Sequence, residues 1–374
     1  MPSAVAARSF VTIAEALEEF RAGRMLVVVD DADRENEGDL TLAAEHATPE
    51  AVNFMARHGR GLICVAMTAE RLQALAIPLM THDNTSQFGT AFCESVDARA
   101  GVTTGISAAD RARSIQALVN ELTQPQDLAR PGHIFPLRAR PGGVLSRAGQ
   151  TEAAVDLARL AGLKPAGVIC EVMNEDGSMA RVPQLEKFCR EHRLKMITVA
   201  DLICHRLQTE RQVVRVGEAK QAVATGPARI FAYRSVLDRE LHTALVLGAP
   251  APGAPTLVRV QSHCLLGALG SRECACAENL AAAQRAIAAA GHGVLVILNQ
   301  NSPGYAFGDG VIRHAGSAAE EEKHSQVQRH IGVGAQILAD LGLQRIRVLS
   351  DHPRRLAGLE GYGLTVVEYV PLRS

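Results

Sequence analysis

Apolar positions follow two patterns that take turns along the chain: amphipathic stretches with a period near 3.6, and short unbroken apolar runs. Ile13–Phe20 has helical spacing, while Met25–Val29 reads as a short buried strand. Thr48-Pro49-Glu50 opens a helix, with Thr48 as its cap and Pro49 in the first helical position, and that helix closes near Gly59. "GLICVAM", Gly61 to Met67, is a second buried strand, and Ser107-x-x-Asp110 begins a helix running toward Leu122. From Gln124 to Arg147 the pattern breaks into Pro, Gly and Arg, so ordered loops are expected there. The text then turns polar and irregular from His205 to Gly226, where a linker is expected at residues 206–226. Beyond it, "TALVLG", "TLVRVQS", an Ala-rich helix from Glu278 to Ala290, "GVLVIL", a helix from about Ser325 to Leu341, "IRVLS" and "LTVVEYVPL" continue the alternation. The expectation is an α/β to α+β protein of two domains, residues 1–205 and 227–374.

Composition narrows the function classes. At 374 residues the chain exceeds one ordinary core. Net charge of −1 gives no electrostatic footprint for nucleic acid, and 3% aromatics without Trp leave no base-stacking platform. The first twenty residues lack an uncharged apolar core and soon carry Glu15, Glu18 and Glu19, unlike a secretory signal. No apolar run is long enough to span a bilayer, so no membrane partner is expected. Eight scattered Cys read as reduced thiols, and a cytoplasmic location is expected.

The candidate chemistry of the first half lies in four segments. In "VVVDDADRENEGD" a strand empties into Asp30, Asp31, Asp33, Glu35, Glu37 and Asp39, offset locally only by Arg34. Such carboxylates suit a hard cation such as Mg²⁺, or a solvated turn. "GVTTGISAADR", Gly101 to Arg111, offers backbone N–H groups and hydroxyls to an anion, although an ordinary capped helix explains it as well. "RPGHIFPLRARPGG" holds His133 on a stiff loop, as proton transfer requires. "SRAGQTEAAVDL" supplies Arg147 and Thr151 for a phosphate, and Glu171 emerges at the end of strand-like "AGVIC". Physics alone points to a metal-assisted enzyme acting on a small phosphorylated polyol or carbonyl compound, and does not select the reaction.

Together with "NTSQFGTAF" and "RAGQTEAAVDLARLAGLKPAGVICEVMNEDGSMAR", these segments resemble 3,4-dihydroxy-2-butanone 4-phosphate synthase of riboflavin biosynthesis over roughly residues 10 to 205. The resemblance implies conversion of D-ribulose 5-phosphate to L-3,4-dihydroxybutan-2-one 4-phosphate and formate with Mg²⁺ or Mn²⁺, in a homodimer. By position it implies His133 and Glu171 as catalytic residues and Glu35 as a metal ligand. Arg34, Glu35, Asp39, Glu171 and the segment Arg147, Ala148, Gly149, Gln150, Thr151 would contact substrate. Where the family reads "GHTEA" this chain reads "GQTEA", so Gln150 stands at the second metal-ligand position; an amide oxygen ligates Mg²⁺ but does not titrate as imidazole does.

The second half resembles GTP cyclohydrolase II, from "FAYRSVLDRELHTALVLG" through "SHCLLGALGSRECAC" to "VVEYVPL". Its Cys264, Cys274 and Cys276 form a C-x9-C-x-C cluster, one residue shorter than the family's zinc loop. The family's charged "RQEGRxIGL" is replaced by "NQNSPGYAF", its tyrosine falls on Ala315, and its D-x-R pair falls on Val327-Gln328-Arg329. "LSDHPRR" keeps a conservative likeness through Ser350 and Arg355. The expectation is a degenerate cyclohydrolase-like domain whose three thiols are ordinary reduced cysteines, residual Zn²⁺ binding by them being the alternative. Two other readings stay open: an enzyme with both activities, and a non-catalytic binding or regulatory protein.

Overall fold

The computed structural model describes residues 10–31, 34–223, 225–250, 253–270, 274–299, 305–308, 311–314, 332–351 and 359–372. The chain divides into two compact units, Met1–His205 and Arg206–Ser374, each with its own mixed seven-stranded sheet. No helix among the described residues is long and apolar enough to cross a membrane.

The first unit has strands β1 (Leu26–Val29), β2 (Gly38–Ala43), β3 (Cys64–Met67), β4 (Val96–Ala98), β5 (Leu128–Arg138), β6 (Ala166–Glu171) and β7 (Lys195–Thr198). They lie side by side in the order β4-β5-β3-β6-β2-β1-β7. Helices α1 (Ile13–Arg21), α2 (Pro49–Phe54), α3 (Ala69–Ala74), α4 (Ala108–Val119), α5 (Gln150–Leu160), α6 (Val182–His192) and α7 (Val199–Thr209) connect them. Their starts follow the caps in the sequence. The Thr12 and Glu15 side chains bond reciprocally at α1, Thr48 with Pro49 opens α2, and Ser107 Oγ accepts the Asp110 N–H at 3.1 Å to open α4. Each cap contributes about 1 kcal/mol.

Strand register decides what meets at the sheet's rim. β3 runs antiparallel to β6 and parallel to β5, and β2 runs antiparallel to both β1 and β6. The N-terminal ends of β2 and β3, the C-terminal ends of β1 and β6, and the start of β5 therefore share one end of the sheet. Asp39 of β2 pairs directly with Glu171 of β6. Period-two alternation places both on the face that carries Cys64, Ile169 and Leu137 against Ala154 and Val155 of α5. The opposite face packs Val27, Leu40, Val65, Val168 and Cys170 with Met55 and Ile115 in the larger core.

Two expectations fail here. Residues 124–147, read as loops, contain the eleven-residue strand β5. Its prolines disguised it, yet Pro136 needs no ladder N–H where it sits: its carbonyl takes the Cys93 N–H at 2.9 Å, and Arg138 resumes the pairing with Ala91. Residues 206–226, read as a linker, hold the end of α7 and the strand β8 (Val213–Val223). β8 is the edge of the second sheet and exposes nearly every side chain, so it carries no buried-strand signature.

The second unit continues with β9 (Gly226–Ser235), β10 (Leu241–Leu247), β11 (Thr256–Ser262), the short helix α8 (Leu265–Ala268), α9 (Cys276–Ala289), β12 (Gly293–Leu298), β13 (Tyr305–Gly308), β14 (Val311–His314), β15 (Arg345–Leu349) and β16 (Thr365–Val370). The sheet order is β16-β15-β11-β12-β10-β9-β8, and β13 pairs with β14 apart from it. Phe231 and Tyr233 of β9 lie in its core, with Tyr233 Oη donating to Asp340 at 2.8 Å.

Candidate active site

The acidic stretch is an organised loop whose hub is Asp30. That buried carboxylate accepts the Glu37 N–H at 2.8 Å, the Glu35 N–H at 3.3 Å and Arg34 Nη1 at 2.7 Å. Arg181, at the start of α6, braces the far side by donating to the carbonyls of Glu35, at 2.7 Å, and Asn36. Asp30 and Arg181 thus fix the loop; the sequence named Asp30 only as one of six carboxylates and gave no sign of Arg181. Asp33 lies outside the described residues.

Arg34 pairs with Glu35 at 2.5 Å and lies over the Phe88 ring, 5.3 Å from its centroid. Arg147 donates to Glu152 Oε2 at 2.7 Å, to the Phe88 carbonyl at 3.2 Å and to Thr90 Oγ1 at 3.1 Å. The segment "NTSQFGTAF" therefore touches both arginines, through a ring and a carbonyl. Between Arg147 and α5 the chain must pass at Gly149, where a Cβ would stand 2.6 Å from Arg147 Nη1 and 3.0 Å from Glu152 Oε2. Ala148 is half-buried, and Thr151 is buried in the first turn of α5.

Carboxylates crowd the rim from the sheet side. Burial, followed by Glu171 and Glu35, raises the Asp39 carboxyl well above its ordinary range. Burial also raises Glu35, against the pull of Arg34, and raises Glu37. Glu171 Oε2 accepts the Leu62 N–H at 2.8 Å, which fixes its side chain at the strand end. His133 is at the same end of the sheet, on β5, with β3 between it and Glu171. Two strand spacings put their backbones roughly 10 Å apart. The His133 ring meets Asp97 of β4 at 2.7 Å, a partner the sequence did not reveal.

Gln150 begins α5. Its Nε2 donates to the Val28 carbonyl at 2.9 Å and the Glu37 carbonyl at 3.3 Å, so the amide orientation is settled by two acceptors. Its Oε1 is buried and without a hydrogen-bond partner. A buried unpaired amide oxygen beside the loop that bears Glu35 fits a hard cation, which takes oxygen donors. "GVTTGISAADR" behaves differently: the Asp110 carboxylate occupies its donors, taking Thr103 N–H at 3.0 Å, Thr103 Oγ1 at 2.7 Å and Gly105 N–H at 3.1 Å. The loop's anion is internal.

Family models match both units: 3,4-dihydroxy-2-butanone 4-phosphate synthase over residues 14–205, and GTP cyclohydrolase II over residues 214–371. The chain belongs to the 3,4-dihydroxy-2-butanone 4-phosphate synthase family. It is an enzyme, a synthase joined to a cyclohydrolase-II-family domain. A relative named riboflavin biosynthesis protein RibBA, from Aquifex aeolicus, is 49% identical over 97% of this synthase and 93% of its own length. The crystal structure of RibBX, described as a two-domain 3,4-dihydroxy-2-butanone 4-phosphate synthase from A. baumannii, matches with a TM-score of 0.80 at 42% identity, covering 96% of this chain and 99% of that one. A synthase crystallised with two magnesium ions is 44% identical over 54% of this chain and 99% of its own, with a TM-score of 0.52.

In the second unit of this synthase, Cys264, Cys274 and Cys276 bring their sulfurs within 4.8 Å of one another, the one such His, Cys, Asp or Glu cluster among the described residues. The shorter spacing does not scatter them: Cys264 Sγ and Cys274 Sγ are 3.8 Å apart. Burial and the two neighbouring sulfurs push the Cys276 thiol up to about 12. Asn299 donates its backbone N–H to His242 at 3.1 Å and its amide to the Leu241 carbonyl. Residues 300–304, Ala315, Val327-Gln328-Arg329 and Arg355 lie outside the described residues.

Proposed function

We propose that the synthase converts D-ribulose 5-phosphate to L-3,4-dihydroxybutan-2-one 4-phosphate and formate, and that the second unit no longer acts on GTP. The observation that carries the first part is the unpaired Gln150 Oε1 beside the acidic loop. Glu35 and Gln150 would hold Mg²⁺ or Mn²⁺, the former by its carboxylate and the latter by its amide oxygen. When bound, the ion supplies Lewis acidity to the ketone and adjacent hydroxyls of the sugar. Arg34 and Arg147 offer fixed guanidinium groups to the substrate, with Thr151 and the backbone of Ala148 and Gly149 completing the cradle. Asp39, whose carboxyl burial and Glu171 hold above its ordinary range, offers a proton at the rim; Glu171 and His133 accept and return protons during enolisation, rearrangement and loss of formate.

The same reading takes the enzyme to be a cytoplasmic homodimer, as the family resemblance implies. The eight cysteines scattered along the sequence agree with a reducing compartment. For the second unit, the three converging thiols suit Zn²⁺. The missing function is therefore attributed to the lost charged groups around "NQNSPGYAF" rather than to a lost metal. The deciding experiment incubates the full chain with ribulose 5-phosphate and Mg²⁺, and separately with GTP and Zn²⁺. Formate from the sugar phosphate and no diaminopyrimidine from GTP are expected. Absence of formate in the first overturns the synthase assignment, and a diaminopyrimidine product in the second overturns the reading of the second unit.

A further inference from the structure

We propose that Asp97 is the positioning residue for His133, fixing which ring nitrogen faces the substrate; this rests on His133 being the proton-transfer residue proposed above. One carboxylate grips the same residue twice. Asp97 Oδ1 accepts the His133 backbone N–H at 2.9 Å, and Oδ2 meets ring Nδ1 at 2.7 Å. Because an ionised carboxylate only accepts, the proton belongs on Nδ1, and Nε2 is left as the working nitrogen. The Asp97 side chain is 11% exposed and that of His133 41%, so the ring is anchored on its buried edge and open on the other.

The backbone is shaped for this contact. Pairing of β4 with β5 jumps from Val96↔Ile134 to Asp97↔Ala129, so residues 130–133 leave the ladder as an irregularity that turns His133 toward the rim. Gly105 then closes over the pair at φ +92°, where a Cβ would fall inside the van der Waals radii of both Asp97 Oδ2 and His133 Nδ1. The Asp110 bonds to Thr103 and Gly105 hold that loop in place. A motif that looked like an anion cradle thus serves as the back wall of the His133–Asp97 pair.

The test combines turnover with side-chain nitrogen NMR of the full-length protein, His133 being assigned by comparison with His133→Gln. In the wild type the Nδ1–H tautomer is expected. In Asp97→Asn an amide N–H faces Nδ1, which moves the ring proton to Nε2. On the pattern of triad enzymes, where the wrong tautomer leaves the geometry intact, kcat should fall at least about 100-fold with KM within about threefold. Gly105→Ala should lower kcat while leaving Mn²⁺ affinity unchanged. The inference is overturned if Asp97→Asn keeps Nδ1–H, if it flips the tautomer but keeps kcat within about threefold, or if its loss of turnover comes with loss of spectral dispersion. The tautomer measurement needs no turnover, so it judges Asp97 separately from the synthase reading, which fails instead if the wild type releases no formate or His133→Gln still does.

Discussion

The two units differ in what the family resemblance flags: at the rim of the first sheet one donor, Gln150, and in the second unit the segment that follows three converging thiols. Gln150 stands where the family resemblance implies a histidine; its Nε2 is held by two carbonyls and its oxygen is left available, and Arg34, Arg147 and Glu171 lie close enough to Glu35 to bias its carboxyl. In the second unit three thiols still converge, but the residues after β12 read "NQNSPGYAF" where charge is expected. An exchanged ligand in a charged frame is compatible with turnover. Under the proposed reading of the second unit, its thiols would bind a metal without turnover of GTP. Retained metal chemistry and retained catalysis are therefore separate questions in the two halves.

The strongest test of that contrast is Glu35→Ala. It should cut formate release by roughly 10³-fold, in line with the loss of a metal-bound electrophilic site, while the zinc content of the second unit is unchanged by elemental analysis. Gln150→Leu should come next, at about 100-fold, since it removes the amide oxygen and strands the Val28 and Glu37 carbonyls. Gln150→His should stay within about tenfold of wild type, because imidazole keeps one N–H for the Val28 carbonyl and one nitrogen for the ion. Equal activity in all three Gln150 proteins would remove that residue from the metal site.

Asp39→Asn gives a smaller effect of opposite sign on stability. Burial raises the folded-state pKa of Asp39, so the folded chain binds a proton more tightly than the unfolded one. Its cost to stability is absent below the unfolded value, near pH 4, and grows as pH rises toward the folded value. Asp39→Asn should accordingly raise Tm by a few degrees at pH 7 to 8 with chelator present. The gain should shrink toward zero near pH 4, even though formate release is lost. A gain independent of pH would contradict the buried-carboxyl account. The smallest expected effect is that of Cys274→Ser with Cys276→Ser: zinc should be lost, and formate release should stay within about twofold of wild type.

The sequence carried the element types wherever a buried face imposed a period, as at α1, β1, β3 and β12. It failed at β5, whose prolines fall where no N–H is needed, and at β8, an edge strand with little to bury. Among site residues, types with intrinsic chemistry stood out: His133, Glu35, Gln150. Asp97 did not, because "CESVDARA" carries Glu94, Asp97 and Arg99 without distinguishing among them and gives no hint of the strand irregularity that brings Asp97 to His133. A lone Asp on a strand that buries every residue was the available signal, since such a group must have a partner.

Asp30 has a consequence for anyone who maps this enzyme by mutation. It closes the acidic loop through three donors and is buried beneath it, so its replacement should scatter Arg34 and Glu35 at once. In a growth-based scan it would score with the residues that handle substrate, although its carboxylate is fully spent on its own chain. Rank order in such a scan would report the keystone of the loop as faithfully as the groups the loop presents, and only binding measurements on each variant would tell them apart.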